Sequence, residues 1–222
     1  PAVLPEGPSA PRLRALMAAS GPVVRAAAAE VGCAANHIWL WGQGVRPALP
    51  GFAETFGVAG RMSSAVDLVQ GLGVLTGIEV VDVPGATAGF DNDYAAQRDA
   101  CLRSLADRDL FLLHVEATDE AGHQGRADVK VEALERWDAE IIGPLVEALD
   151  GAGEAYRILL LPDHATPCDI RTHTAEAVPY LLFDSQVDGP GGTYTEPATA
   201  GCDPVPAHGL VARLVGSGAR PA

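Results

Sequence analysis

Three polar clusters in this sequence carry residue types suited to divalent-metal chemistry. The first reads Glu116-Ala117-Thr118-Asp119-Glu120-Ala121-Gly122-His123-Gln124-Gly125. Asp119 and His123 stand four positions apart, and Gly122 and Gly125 permit a tight backbone. A carboxylate and an imidazole so spaced can converge on one ion. Taken alone, the spacing is equally that of a solvated acidic loop with a chance histidine. The second cluster is Pro162-Asp163-His164-Ala165-Thr166-Pro167, whose adjacent Asp and His cannot share a strand face but can reach neighbouring ions from a loop. The third is Arg171-Thr172-His173-Thr174. Three of the six histidines thus have an acid or another histidine close in sequence, in loops expected to follow strands.

Two carboxylates and three imidazoles suit manganese or zinc better than calcium. Two divalent ions are expected rather than one. A pair about 3.5–4 Å apart clamps the attacking and leaving oxygens of a phosphoryl transfer. It would also supply positive charge that this chain lacks, with 15 Lys and Arg against 29 Asp and Glu and a net charge of −14. A field of that sign repels nucleic acid and anionic lipid, so neither is an expected partner. Arg61 and Arg171 are the candidate contacts for a substrate anion. Glu116, Glu120 and Gln43 stay open between a supporting role at a metal and loop surface. Cys168 reads as a small packing residue.

The elements that must position these clusters follow from the hydrophobic pattern. Short apolar runs at 38–41, 78–83, 110–115, 156–161 and 179–183 read as strands, each bounded by Gly, Pro or polar residues. Between them lie helical patterns at 63–75, 93–106 and 127–149. The last is amphipathic, with Val131, Leu134, Trp137, Ile141, Leu145 and Leu149 on one face. Ser63 and Ser64 would cap the helix they open, and Asp67 inside it would be structural. Strands apolar throughout, alternating with helices, indicate an α/β fold with a largely parallel sheet covered by helices on both faces. The runs at 38–41, 78–83, 110–115 and 157–161 belong in that one sheet, and ligands bind outside the carboxyl ends of its strands.

Toward the N-terminus, residues 13–31 form a helix broken at Gly21-Pro22, and residues 1–12, with four prolines, read as a linker. Residues 184–206 make a long surface loop, and 208–215 a closing helix. With 222 residues, 48% of them hydrophobic, one domain is the default. The apolar runs are too short to cross a bilayer, and no export signal precedes them. The cysteines Cys33, Cys101, Cys168 and Cys202 include no C-x-x-C pair, which fits a reducing, cytoplasmic compartment.

Read together, Ile38-Trp39-Leu40-Trp41-Gly42-Gln43-Gly44, Ser64-Ala65-Val66-Asp67-Leu68, Val83-Pro84-Gly85-Ala86-Thr87, the run from His114 to His123 and Leu161-Pro162-Asp163-His164-Ala165-Thr166-Pro167 resemble a known family. It is the archaeal-type cofactor-independent phosphoglycerate mutases of the alkaline phosphatase superfamily. A weaker similarity continues through Tyr194-Thr195-Glu196. The resemblance implies an alkaline-phosphatase-like fold and interconversion of 3-phosphoglycerate and 2-phosphoglycerate through a phosphoserine. The substrate would be a small phosphorylated carboxylic acid. It assigns Asp119, His123 and His173 to one metal and Asp163 with His164 to the other.

Members of that family open with a metal-binding Asp at a strand end, an Asn-Ser nucleophile segment and an inserted arginine-rich substrate domain. None of these occurs here, so no catalytic nucleophile is assigned to this chain. Residues 1–222 read as the C-terminal, metal-binding part, with a missing N-terminal segment as partner. Arg61 stands where relatives carry a small residue. A phosphohydrolase or phosphotransferase acting on another small phosphate ester therefore stays open, as does a non-catalytic metal-binding subunit.

Overall fold

The computed structural model describes residues 3–42, 44–189 and 191–216, so Gln43 lies outside the described residues. The chain divides into two compact units, Pro1–Pro47 and Ala48–Ala222. In the first, α1 (Ala10–Ala19) and α2 (Gly21–Val31) meet at the expected break. Pro22 sits in the first turn of α2, where its missing N–H costs no hydrogen bond. The helix α1 starts inside the stretch read as a linker, with Pro11 in its first turn.

Residues 38–41 are not a strand. An apolar run becomes a strand only where a neighbour takes up its backbone hydrogen bonds. Here the Trp39 and Trp41 rings stack 5.5 Å apart, and Trp39 Nε1 donates to the Val3 carbonyl at 2.9 Å.

The second unit runs α3 (Phe52–Phe56), β1 (Gly60–Ser63), α4 (Asp67–Thr76), β2 (Glu79–Val80), α5 (Tyr94–Leu105) and β3 (Leu110–Leu113). It continues through α6 (Ala117–Gln124), α7 (Ala127–Trp137), a π-helical turn (Asp138–Ile142), α8 (Gly143–Ala152), β4 (Arg157–Leu160) and β5 (Leu181–Asp184). Two short helices, α9 (Glu196–Thr199) and α10 (Leu210–Leu214), follow. The class is α/β, as expected, with a parallel sheet in the order β2-β1-β3. Gly60 to Ser63 pair with Leu110 to Leu113 on one side, and Arg61 and Met62 with Glu79 and Val80 on the other.

Three details differ from the sequence expectation. The central strand β1 lies at residues read as loop and helix start, because Gly60-Arg61-Met62-Ser63 lacks the apolar run that marks a buried strand. Ser63 ends this strand, and α4 begins only at Asp67, with Val66 rather than a serine at its N-cap. Finally, β4 does not join the parallel sheet; it pairs antiparallel with β5, Arg157 opposite Asp184. Parallel neighbours need a crossover, usually a helix. Residues 161–180 contain no helix and return directly.

The long amphipathic helix is realised as α7, the π turn and α8. Pro144 has no N–H to give the Glu140 carbonyl, and Arg98 Nη1 donates to that carbonyl instead, at 3.0 Å. Ile141 and Ala133 are buried, but Val131 and Leu134, expected on the covered face, are exposed. The core gathers around Met62, Tyr94, Ala100 and Ile141, with Arg136 over the Tyr94 ring at 4.5 Å. Among the described residues no helix is long and apolar enough to cross a membrane.

Cys101 lies in this core, where burial pushes its thiol up to about 12. Only the thiolate alkylates readily. Iodoacetamide at pH 8 is expected to label the exposed Cys33 and Cys202 quickly and to reach Cys101 only after denaturant is added. Peptide mapping that finds Cys101 modified in the native protein as fast as Cys33 would contradict this core.

Candidate metal centre

After β3 the chain turns through His114, Val115 and Glu116 into α6. Asp119 and His123 are therefore not in a loop, as expected, but one turn apart on a helix. The i,i+4 spacing puts both side chains on one face. Gly125, at φ 68°, ends this helix in the left-handed conformation that glycine adopts without strain. His173 arrives from the segment after β4, which folds back on itself through a Thr174 N–H to Ala165 carbonyl bond of 3.0 Å.

The three side chains meet. His123 Nε2 lies 3.2 Å from Asp119 Oδ2, and His173 Nε2 lies 3.4 Å from Asp119 Oδ1. The two ring nitrogens are 3.1 Å apart. His123 Nδ1 stands 3.1 Å from the Arg171 carbonyl, which can only accept, so Nδ1 carries a proton and Nε2 is the nitrogen turned toward Asp119 and His173. Asp119, His123 and His173 thus each turn one possible ligand atom toward one small volume. Bonds of about 2.0–2.2 Å to a common ion place donor pairs roughly 3–3.5 Å apart, so the observed spacings fit one.

Asp163 and His164 form an adjoining pair. Asp163 Oδ2 lies 3.3 Å from His164 Nε2, while its Oδ1 accepts the His164 backbone N–H at 2.9 Å. The His164 ring packs on His173 with centroids 3.7 Å apart, so the second pair touches the first cluster. Thr166 connects them: its hydroxyl is 2.5 Å from Asp119 Oδ1 and 3.3 Å from His164 Nδ1. Lys130 Nζ donates to the Thr166 carbonyl at 2.8 Å.

The arginines behave differently. Arg171 is the non-glycine residue with positive φ, 59°, among the described residues. Its strained backbone turns its carbonyl toward His123. Arg61 is bound across the sheet by Glu79 at 2.9 Å and by Asp107 at 2.5 Å. The Asp107 bond, then the Glu79 bond, holds the Arg61 guanidinium above its ordinary range, and Arg61 holds both carboxyls below theirs.

A buried polar network supports the approach to α6, and no spacing rule could have found it. Ser64 Oγ lies 3.0 Å from His114 Nδ1, and His114 Nε2 lies 3.4 Å from Glu116 Oε2. Gln97 donates to the His114 carbonyl at 3.1 Å and to Ser63 Oγ at 3.2 Å, and accepts from Asn92 at 2.8 Å. Burial pushes the Glu116 carboxyl up; His114 opposes that, while Asp119, Asp163 and Glu120 add to it. Glu116 thus feels both clusters, which its position in the sequence left open.

Helix α6 approaches the Thr166 segment through Gly122. A Cβ there would stand 2.3 Å from the Thr166 carbonyl oxygen and 2.8 Å from its methyl group. Gly122→Ala is expected to lose about 1–3 kcal/mol of stability through overpacking. Thermal unfolding of the metal-free chain measures it, and an unchanged transition would mean that helix and loop are not in contact.

The profile of the Metalloenzyme superfamily matches residues 15–206. The chain is 50% identical over 153 residues to the 2,3-bisphosphoglycerate-independent phosphoglycerate mutase of Methanothrix thermoacetophila, covering 69% of this chain and 39% of that protein. It is 43% identical over 195 residues to a probable enzyme of the same name from Geobacter sulfurreducens, covering 85% and 49%. The chain therefore spans less than half the length of these curated relatives. Among solved structures, the PH0037 protein of Pyrococcus horikoshii superposes with a TM-score of 0.67 at 28% identity, over 75% of this chain and 50% of that one. The cofactor-independent phosphoglycerate mutase of Thermoplasma acidophilum shares the fold, with a TM-score of 0.56 at 20% identity, over 77% and 40%. Matched over most of its length, the chain belongs to the Metalloenzyme superfamily.

Proposed function

We propose that this chain is the metal-binding C-terminal part of a cofactor-independent phosphoglycerate mutase. The observation that carries the reading is the meeting of Asp119, His123 and His173, with the His123 tautomer fixed by the Arg171 carbonyl. The names of the relatives supply the substrate class, a small phosphorylated carboxylic acid.

In this reading Asp119, His123 and His173 hold one divalent ion, manganese or zinc, and Asp163 with His164 contribute to a second. Bound there, the ions supply the positive charge that stabilises a transferring phosphoryl group and activates a hydroxyl. The chain's own part is positional. Asp119 brings the formal negative charge to the first site, and the Arg171 carbonyl orients His123. Asp163 steadies His164 through its backbone N–H. Arg171 is the proposed contact for a substrate anion, whereas Arg61 would first have to exchange Glu79 and Asp107 for substrate. The nucleophilic serine and the remaining ligands of the second ion would come from a segment outside these 222 residues. A cytoplasmic location belongs to the same reading, which the free thiols of Cys33, Cys101, Cys168 and Cys202 support.

Titration of the chain with Mn²⁺, followed by the loss of free-ion electron paramagnetic resonance signal, is expected to reveal one well-held ion and a second held weakly. Losing even a supporting contact costs about 10–100-fold in metal affinity, so His173→Ala should weaken the first site by at least about that factor. Equal binding by the variant would remove His173 from the site.

The activity test uses 3-phosphoglycerate. The chain alone with Mn²⁺ is expected to give no detectable 2-phosphoglycerate, and addition of a segment carrying the Asp and Asn-Ser elements should restore conversion. Robust conversion by the 222-residue chain alone would show that the nucleophile lies within it. Release of inorganic phosphate in place of 2-phosphoglycerate, once the segment is added, would make the protein a phosphohydrolase.

A further inference from the structure

Thr166 is 4% exposed, and it lies between the two proposed ion sites while belonging to neither ligand set. Its hydroxyl has one proton to give and two lone pairs. The Asp119 carboxylate accepts only, so the proton goes to Asp119 Oδ1, 2.5 Å away. His164 Nδ1, 3.3 Å from the Thr166 hydroxyl oxygen, is then a donor to that oxygen. In the neutral His164 ring that is the Nδ1–H tautomer, whose lone pair is on Nε2. Nε2 is the atom that faces Asp163 Oδ2 at 3.3 Å.

We infer that Thr166 is a positioning residue that couples the two metal sites, one hydroxyl orienting the Asp119 carboxylate for the first ion and the His164 imidazole for the second. The inference rests on the metal reading proposed above. The backbone is built to keep the hydroxyl there. Lys130 holds the Thr166 carbonyl from one side, and the absent Cβ of Gly122 lets α6 close on it from the other. Asp119 and His164 are 45 positions apart in sequence, and this side chain is hydrogen-bonded to both.

The experiment compares wild type, Thr166→Val and Thr166→Ser in Mn²⁺ titrations of the 222-residue chain. Valine keeps the shape and removes the hydroxyl; serine keeps the hydroxyl. Thr166→Val is expected to bind the first ion about 10–100-fold more weakly and to lose the second, although no ligand has been changed. Thr166→Ser should return both affinities to within a few-fold of wild type. Valine binding like wild type, or serine failing like valine, overturns the coupling. Wild type binding no Mn²⁺ at all overturns instead the metal reading beneath it.

A second measurement does not depend on how the valine variant folds. Nitrogen-15 correlation spectra of the metal-free wild type at pH 8 should show His164 as the Nδ1–H tautomer. An Nε2–H tautomer would overturn the assignment.

Discussion

Asp119 and the Nε2 atoms of His123 and His173 crowd into one small volume, held 3.1–3.4 Å apart by elements that come from distant parts of the sequence. The backbone supplies the force that brings them together, and a cation placed there would be held by all three. Several otherwise costly features of the fold read as that force. Arg171 takes a left-handed backbone although it is not glycine, and its carbonyl thereby reaches His123. Helix α6 gives up a side chain at Gly122, and Thr166 thereby reaches Asp119.

The scaffold beneath is a short parallel sheet from which β3 leads into α6. The pairing of β1 with β3 sets Ser63 beside Leu113, and the ladder continues one residue further as His114 N–H donates to the Ser63 carbonyl at 3.0 Å. From that point the backbone leaves the sheet, and side chains take over its hydrogen bonding. Gln97 on α5 holds the His114 carbonyl, and Ser64 holds the His114 ring. The approach to α6 is thereby tied to β1, to α5 and to the loop between β1 and α4 before Asp119 is reached. Polar groups this deeply buried are tolerable only when satisfied, and Ser63, Asn92 and Gln97 each have partners.

How much of this was legible in the sequence follows the range of each interaction. The α/β class and the strand β3 were readable because apolar runs and helical periods are local. The D-x-x-x-H spacing was readable for the same reason, and it holds on a helix as well as it would in a loop. The central strand β1 was not, because Gly60-Arg61-Met62-Ser63 is held by its two neighbours rather than by its own hydrophobicity. Nor could the pattern separate β4 from the parallel sheet, since an apolar run does not record the direction of its partner. Thr166 and the Arg171 carbonyl were invisible for a further reason. Their roles depend on backbone geometry between segments about 47 residues apart, and neither side-chain type announces it.

The acidity of the chain acquires a local meaning here. Burial and the charges of Asp119, Asp163 and Glu120 together push the Glu116 carboxyl up. A group whose folded value is raised stabilises the fold below its unfolded range, and that contribution is lost as pH rises through the folded value. As pH rises through that value Glu116 therefore works against folding, chiefly because it is buried, and a cation placed among the carboxylates would relieve the part that comes from Asp119, Asp163 and Glu120. An ion held there would stabilise the folded chain, and its affinity would depend partly on how firmly the surrounding backbone refuses to relax. Gly122, Thr166 and the buried Gln97 network are the parts of this chain that refuse.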